Sequence, residues 1–168
     1  MTEMKITDVR RLRWVPLSAL LLVASMAGCD LDTAIFVDPT IESPEATIKN
    51  NVLGVSLTGS FDLVLHLGSR ASDSSEVTYS SFTLETSDRT VLLDSLPITA
   101  SAPSPVTVDP GEDVTIQMTI DTGDDVLDAA LYDQACAGNV VIAGVIDDSL
   151  ATSSTPFVSQ PFALSGCP

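Results

Sequence analysis

The sequence predicts a mainly β protein: a Greek-key sandwich with one short helix, following an N-terminal apolar helix. Three observations predict it. Apolar and polar residues alternate with a period of two in most stretches beyond residue 54, the mark of half-buried strands. Aromatics make up only 5% of the 168 residues while apolar residues reach 45%. That apolar mass, rich in Val, Ile and Leu beside abundant Thr, suits pleated surfaces and is too large for a disordered chain. Finally, Gly, Pro, Asp and Ser clusters cut the alternating stretches into about eight short strands.

The first segment is of a different kind. Residues 1–13 are polar and carry Lys5, Arg10, Arg11 and Arg13 against Glu3 and Asp8. Residues 15–27 are apolar, with Leu20, Leu21, Leu22 and Val23 at the centre. The run falls well short of the ~20 residues that a spanning helix needs. A basic start, a short apolar run and the small residues Ala27 and Gly28 make a signal for export. Residues 1–28 are therefore expected to be a signal helix that the mature chain lacks.

Met26-Ala27-Gly28-Cys29 resembles the lipobox of bacterial lipoproteins, with Met26 in place of the commoner Leu. The resemblance implies a diacylglyceryl thioether on Cys29, cleavage before it, and acylation (a palmitate-type chain) of the new amino group. One acyl chain binds a membrane marginally, whereas two or more anchor it stably. A plain secretory signal with an incidental cysteine, or a short uncleaved anchor, is the blander reading of the same residues. Asp30 resembles an inner-membrane retention signal of two-membrane bacteria; an outer-membrane and a surface-exposed location stay open.

Beyond residue 28 the chain is strongly acidic. Lys49, Arg70 and Arg89 are its only strong bases against 21 acids, a net charge of −18, more extreme than the −16 of the whole sequence. Such a surface repels nucleic acid and anionic headgroups, so nucleic acid is not an expected partner. Solubility in a salty or cation-rich medium is the plain explanation. About 140 residues suffice for one domain with a real core.

Three cysteines are present. With Cys29 assigned to lipid, Cys136 and Cys167 form an even pair in an oxidising compartment, and a structural disulfide is expected. No Cys-x-x-Cys spacing points to redox work.

The mature chain divides into an acidic tether from the lipidated cysteine (29–45) and a sandwich domain (46–168). Asp30, Asp32, Asp38, Glu42, Glu45, Pro39 and Pro44 mark the tether, within which 33–37 is a candidate edge strand. Val55 and Leu57 begin the alternation, and Phe61, Leu63, Leu65 and Leu67 continue it, with Gly59-Ser60 suited to a hairpin turn between them. Residues 69–75 are a polar loop. Val77 and Tyr79 fall one step out of phase with Phe82 and Leu84, which a β-bulge near Ser80-Ser81 restores. Val91–Leu93 is a short buried strand, and the prolines of 97–105 mark a loop or edge segment. Val106 and Val108 precede a turn at Asp109-Pro110-Gly111-Glu112, which leads into the clean alternation of Val114, Ile116, Met118 and Ile120.

Residues 124–137 switch to helical spacing through Val126, Leu127, Ala130 and Leu131. Thr122 is the candidate N-cap, Asp124, Asp125 and Asp128 suit the helix N-terminus, and Gly138 its end. Val140–Ile146 is a continuous apolar run fit for a central strand. Phe157-Val158 and Phe162–Leu164 supply the last strands, held by Cys167.

This succession is similar to immunoglobulin-like and fibronectin-like sandwiches, in which a Pro-Gly-Glu turn before an alternating strand is common. It also looks faintly like the water-stress sandwich of late-embryogenesis-abundant proteins, through Asn50-Asn51 and Gly144. No functional residue carries over from either likeness.

Catalytic motifs are scarce. His66 is the only histidine, on a strand, and reads as a solvent-facing or hydrogen-bonded residue. There is no Gly-x-Ser-x-Gly and no phosphate-binding Gly-rich loop. Asp121, Asp124 and Asp125, with Asp128 beyond, offer the oxygen ligands that calcium prefers but lack the spacing of an EF-hand. A turn whose acids cap the helix is the simpler reading of them, and no cofactor other than that calcium is implied. Asp147-Asp148 reads as loop.

The expected function is that of an exported lipoprotein of the cell envelope, membrane-bound through its lipid anchor. Its domain is a non-catalytic structural or binding module for an envelope protein or polysaccharide. The alternatives are a calcium-binding adhesive domain and, less favoured, a carboxylate-dependent hydrolase. Paired acids can cleave glycosides, but few aromatics are present to stack on a sugar.

Overall fold

The computed structural model of the chain describes residues 33–52, 54–123 and 127–168. Cys29, Asp124 and Asp125 lie outside the described residues.

Two antiparallel sheets pack face to face. The strands are β1 (Val37–Asn51), β2 (Gly54–Leu67), β3 (Ser75–Thr86), β4 (Val91–Leu93), β5 (Ile98–Ala100), β6 (Val106–Val108), β7 (Glu112–Asp121), β8 (Val140–Asp148) and β9 (Thr155–Val158). One sheet has the order β1-β2-β7-β5 and the other β4-β3-β8-β9, with β6 pairing the start of β3. Among the described residues one helix, α1 (Ala129–Ala135), lies between β7 and β8.

The core forms where the inner faces meet. Ile48, Leu57, Leu63, Leu65, Ile116 and Met118 come from the first sheet, and Val77, Leu84, Ile142 and Ile146 from the second, all fully buried. Three rings join the layers: Phe61 tilts against Phe82 at 5.7 Å, and Phe82 meets Phe157 edge to face at 6.0 Å, the geometry that ring quadrupoles favour.

The alternation of Val114–Ile120 appears as β7, with Ile116, Met118 and Ile120 inward. The Asp109–Glu112 turn is present, closed by the Glu112 amide on the Asp109 carbonyl at 3.0 Å. The expected bulge in β3 is also there: pairing with β8 slips between Ser80 and Thr83, and Ser81 has φ of 57°. β8 is the central strand foreseen, flanked by β3 and β9.

Four expectations need correction. Gly59-Ser60 is not a turn, because β2 runs unbroken through it. The bulge lies in the partner strand: β1 shifts register between Glu42 and Glu45, and its backbone crowds Gly59. A Cβ on Gly59 would lie 2.3 Å from the Glu45 carbonyl oxygen, so the glycine serves close approach and not a reversal. Second, residues 37–45 are not tether but the first half of β1, with Val37, Pro39 and Ile41 turned inward. Asp38 and Glu42, among their exposed neighbours, are acids that give the segment the look of a linker. Third, Thr122 does not cap the helix. It is buried, its hydroxyl donates to the Leu57 carbonyl at 3.3 Å, and it accepts from the Leu57 amide at 2.9 Å. Leu127 bridges to Val55 instead of joining the helix, and Asp128 is the N-cap, accepting from the Ala130 amide at 2.9 Å. Fourth, β4 is a sheet edge, not a buried strand; Val91 is half exposed.

The last residues act as a strap between the sheets. Phe162 and Val140 exchange amide bonds at 2.9 Å on the second sheet. Three residues on, Ser165 exchanges bonds with Ala46 and Ile48 of β1, also at 2.9 Å. Gly166 has φ of +90°, and a Cβ there would lie 2.1 Å from the Ile48 carbonyl oxygen, so no other residue fits this crossing. The Tyr132 hydroxyl donates to the Gly166 carbonyl at 3.0 Å. A disulfide between Cys136 and Cys167, Cα atoms 5.4 Å apart, fixes the strap to the end of α1.

Candidate functional site

The strand directions sort the functional candidates between two ends of the sandwich. Val37 pairs with Leu67, Leu67 with Glu112, and Val77 with Asp148. The start of β1 therefore shares one end, here the entry end, with loops 68–74 and 149–154 and the 109–111 turn. The Asn51–Gly54 pairing, the 87–90 turn, α1 and the disulfide occupy the opposite end.

At the entry end sits a buried carboxylate that sequence reading placed in a loop. Asp148 is 6% exposed and closes β8. Its Oδ2 accepts from the Val37 amide at 2.7 Å. Its Oδ1 accepts from the Leu150 amide at 2.8 Å and from the Ser75 hydroxyl. One side chain thus ties the first residue of β1 to the starts of β3 and of the 149–154 loop. The missed signal was phase: Asp148 continues the inward set Val140, Ile142 and Ile146, so its carboxyl points to the interior. Asp147, one step along, faces solvent and holds the Ser154 hydroxyl at 2.5 Å. The two acids line a shallow hollow of about 230 Å³. It lies below the usual size of small-molecule pockets, and both Asp148 oxygens are already engaged.

At the opposite end the acidic loop is used locally. The Asp121 Oδ1 accepts from the Gly123 amide at 2.8 Å, and Asp128 caps α1. The described carboxylates of the proposed calcium set therefore serve the backbone. No three His, Cys, Asp or Glu side chains among the described residues are placed to hold a metal.

Two further polar groups lie on the outer faces. His66, on β2, stands between Asp38 and Asp113 in adjacent strands. Its Nδ1 meets the Asp113 Oδ1 at 2.5 Å, in the open. On the other sheet Glu85 is 7% exposed although it faces outward. Arg89 covers it, Nε to Oε2 at 2.5 Å, and the Thr83 hydroxyl donates to Oε1 at 2.9 Å. The 87–90 turn carries Asp88, whose carboxyl the Thr86 hydroxyl holds below its ordinary pKa. Burial raises the Tyr79 phenol, which donates to the Ala102 carbonyl at 2.5 Å. Tyr79, Phe82, Leu96 and Ile98 line a second hollow of about 250 Å³, with no acid in its wall.

Large apolar side chains are exposed at Ile35, Phe36, Val52, Val91 and Val158. Among the described residues only Ile35 and Phe36 are adjacent, immediately before the clamped Val37. No helix among the described residues is long and apolar enough to cross a membrane.

Comparison with known proteins finds no matching family model, no matching curated protein and no matching solved structure.

Proposed function

We propose that the chain is an exported lipoprotein, acylated at Cys29, whose domain serves the cell envelope as a non-catalytic structural or binding module. The observation that carries this reading is cysteine usage. Ala27-Gly28-Cys29 directly follows the apolar run, and the other two cysteines are consumed by each other. A disulfide of this kind belongs to an oxidising compartment, and lipidation needs one unpaired cysteine at the mature N-terminus.

The fold is read as immunoglobulin-like. The order β1-β2-β7-β5 facing β4-β3-β8-β9 corresponds to strands A-B-E-D facing C′-C-F-G of that sandwich, with α1 at the E–F corner. The shallow hollows and the engaged Asp148 favour binding through loops or a sheet face over hydrolysis. An envelope protein or polysaccharide is the partner class for such a surface, and the net charge of −18 disfavours nucleic acid.

Metabolic labelling with an alkyne-bearing fatty acid tests the anchor. Wild type takes up label and sediments with membranes, while Cys29→Ala loses both. Continued membrane attachment of Cys29→Ala would refute the lipoprotein reading.

A further inference from the structure

We infer that Ile35 and Phe36 form a second membrane contact, which seats the entry end of the sandwich on the lipid surface. The inference rests on acylation of Cys29. Ile35 is 52% and Phe36 46% exposed, the only adjacent pair among the exposed large apolar residues described. Single exposed apolar side chains are ordinary; what marks this pair is its place, seven residues at most from the proposed anchor.

Chain length puts them within reach. Seven bonds between Cα atoms separate Cys29 from Phe36. Fully extended, a segment of that length spans at most about 25 Å. The headgroup layer on each face of a bilayer is about 5–7 Å thick. The pair therefore stays within reach of the interface, where aromatic and aliphatic side chains shed water. Tethering also makes this contact intramolecular, so weak insertion suffices to hold it.

The direction of the pair is fixed by the fold. The Val37 amide, immediately after Phe36, is bonded to the buried Asp148, so the chain leaves the sandwich at a defined point. With that end seated, the 15 residues of β1, at ~3.3 Å each, carry the Asn51–Gly54 hairpin roughly 50 Å outward. The free end of the domain is then the one that bears the hairpin, the acidic loop after β7 and α1. Exposed acids near the entry (Asp38, Asp73, Asp109 and Asp147) oppose anionic headgroups, so the surface that suits the pair is zwitterionic.

A tryptophan reporter tests this without background, because the only tryptophan, Trp14, lies in the signal. Full-length Phe36→Trp and Val52→Trp chains are expressed in a bacterium that acylates lipoproteins. The purified products are reconstituted in phosphatidylcholine vesicles with brominated acyl chains, and their mass establishes the acyl groups on Cys29. The expected result is emission from Phe36→Trp that is blue-shifted and at least twofold quenched, with Val52→Trp unquenched. Equal, unquenched emission from both variants in acylated protein would overturn the inference and leave the lipoprotein reading standing. A mature mass without acyl groups would overturn both. Ile35→Ser/Phe36→Ser, which changes only exposed side chains, should make the 30–36 segment severalfold more sensitive to protease on vesicles; no change there also counts against the inference.

Discussion

Asp148→Asn removes one acceptor from a buried carboxyl without changing its shape. Oδ2 serves the Val37 amide, while Oδ1 serves the Leu150 amide and the Ser75 hydroxyl. An amide keeps one acceptor and points a donor the other way. With its oxygen toward Leu150, the NH2 group confronts the Val37 N–H. Turned round, it confronts the Leu150 N–H, although the Ser75 hydroxyl can rotate to accept. Either way at least one backbone N–H loses its partner, at about 1–3 kcal/mol. The bonds that survive lose their charge-assisted strength, so the total is about 2–4 kcal/mol. A domain of this size shifts Tm by about 3 °C per kcal/mol, which makes the expected fall about 6–12 °C. Urea and thermal unfolding of the exported chain measure it, with solvent-facing Asp147→Asn as the control, expected within about 0.5 kcal/mol of wild type. Exchange of the Val37 amide should quicken in the same variant. Wild-type stability for Asp148→Asn, within about 0.5 kcal/mol at an unchanged m-value, would refute the clamp; so would an equal loss in Asp147→Asn.

Removing the staple gives a separate figure. Cys136→Ala with Cys167→Ala opens a loop of 31 residues, which chain entropy sets at about 3.7 kcal/mol; urea unfolding of the double variant checks it, and exported wild type should yield no titratable thiol until reduced. Asp88 titrates below its ordinary value through the Thr86 hydroxyl. Its share of stability is therefore present above the unfolded pKa and is lost as pH falls through the lower folded pKa. Thr86→Val should move its NMR titration midpoint upward, and an unmoved midpoint would reject the cause. For calcium, a ligand of the native state must raise its stability; an unchanged Tm between chelator and millimolar calcium would remove the site proposed at Asp121, Asp124 and Asp125.

Period-two alternation carried most of the fold, and its failures are instructive. Val55, Leu57, Gly59, Phe61, Leu63, Leu65 and Leu67 share one parity. The glycine alone suggests a two-residue turn at Gly59-Ser60, while the unbroken phase already describes one long strand. The cause of that glycine, the bulge in β1, lies in the partner chain segment and leaves no mark near Gly59. Asp148 failed in the opposite way. Its phase is visible, but a charge ordinarily signals exposure, and the three donors that make burial tolerable come from residues 37, 75 and 150. Thr122 was legible as a backbone-capping hydroxyl but not in its choice of Leu57 over the helix, because that choice depends on how β7 pairs with β2. Pairing between distant cysteines, by contrast, followed from compartment and parity of number without any geometry.

The fasteners concentrate on β1, and this links the fold to the anchoring proposal. β1 is an edge strand, with β2 as its neighbour on one side. Its other side is protected in pieces: Pro39 has no amide hydrogen to offer, Ser43 with φ of 49° and Pro44 break the ladder, and Ser165 covers Ala46 and Ile48. These are the means by which edges resist pairing with another chain. The same contacts bind β1 to the second sheet at two levels, through Asp148 at its first residue and through the strap at its middle. A chain held at Cys29 and loaded at the far end is pulled along β1. That load would meet the Asp148 clamp first and the disulfide-backed strap second, so under the anchoring proposal the strand nearest Cys29 is also the one joined to both layers of the sandwich.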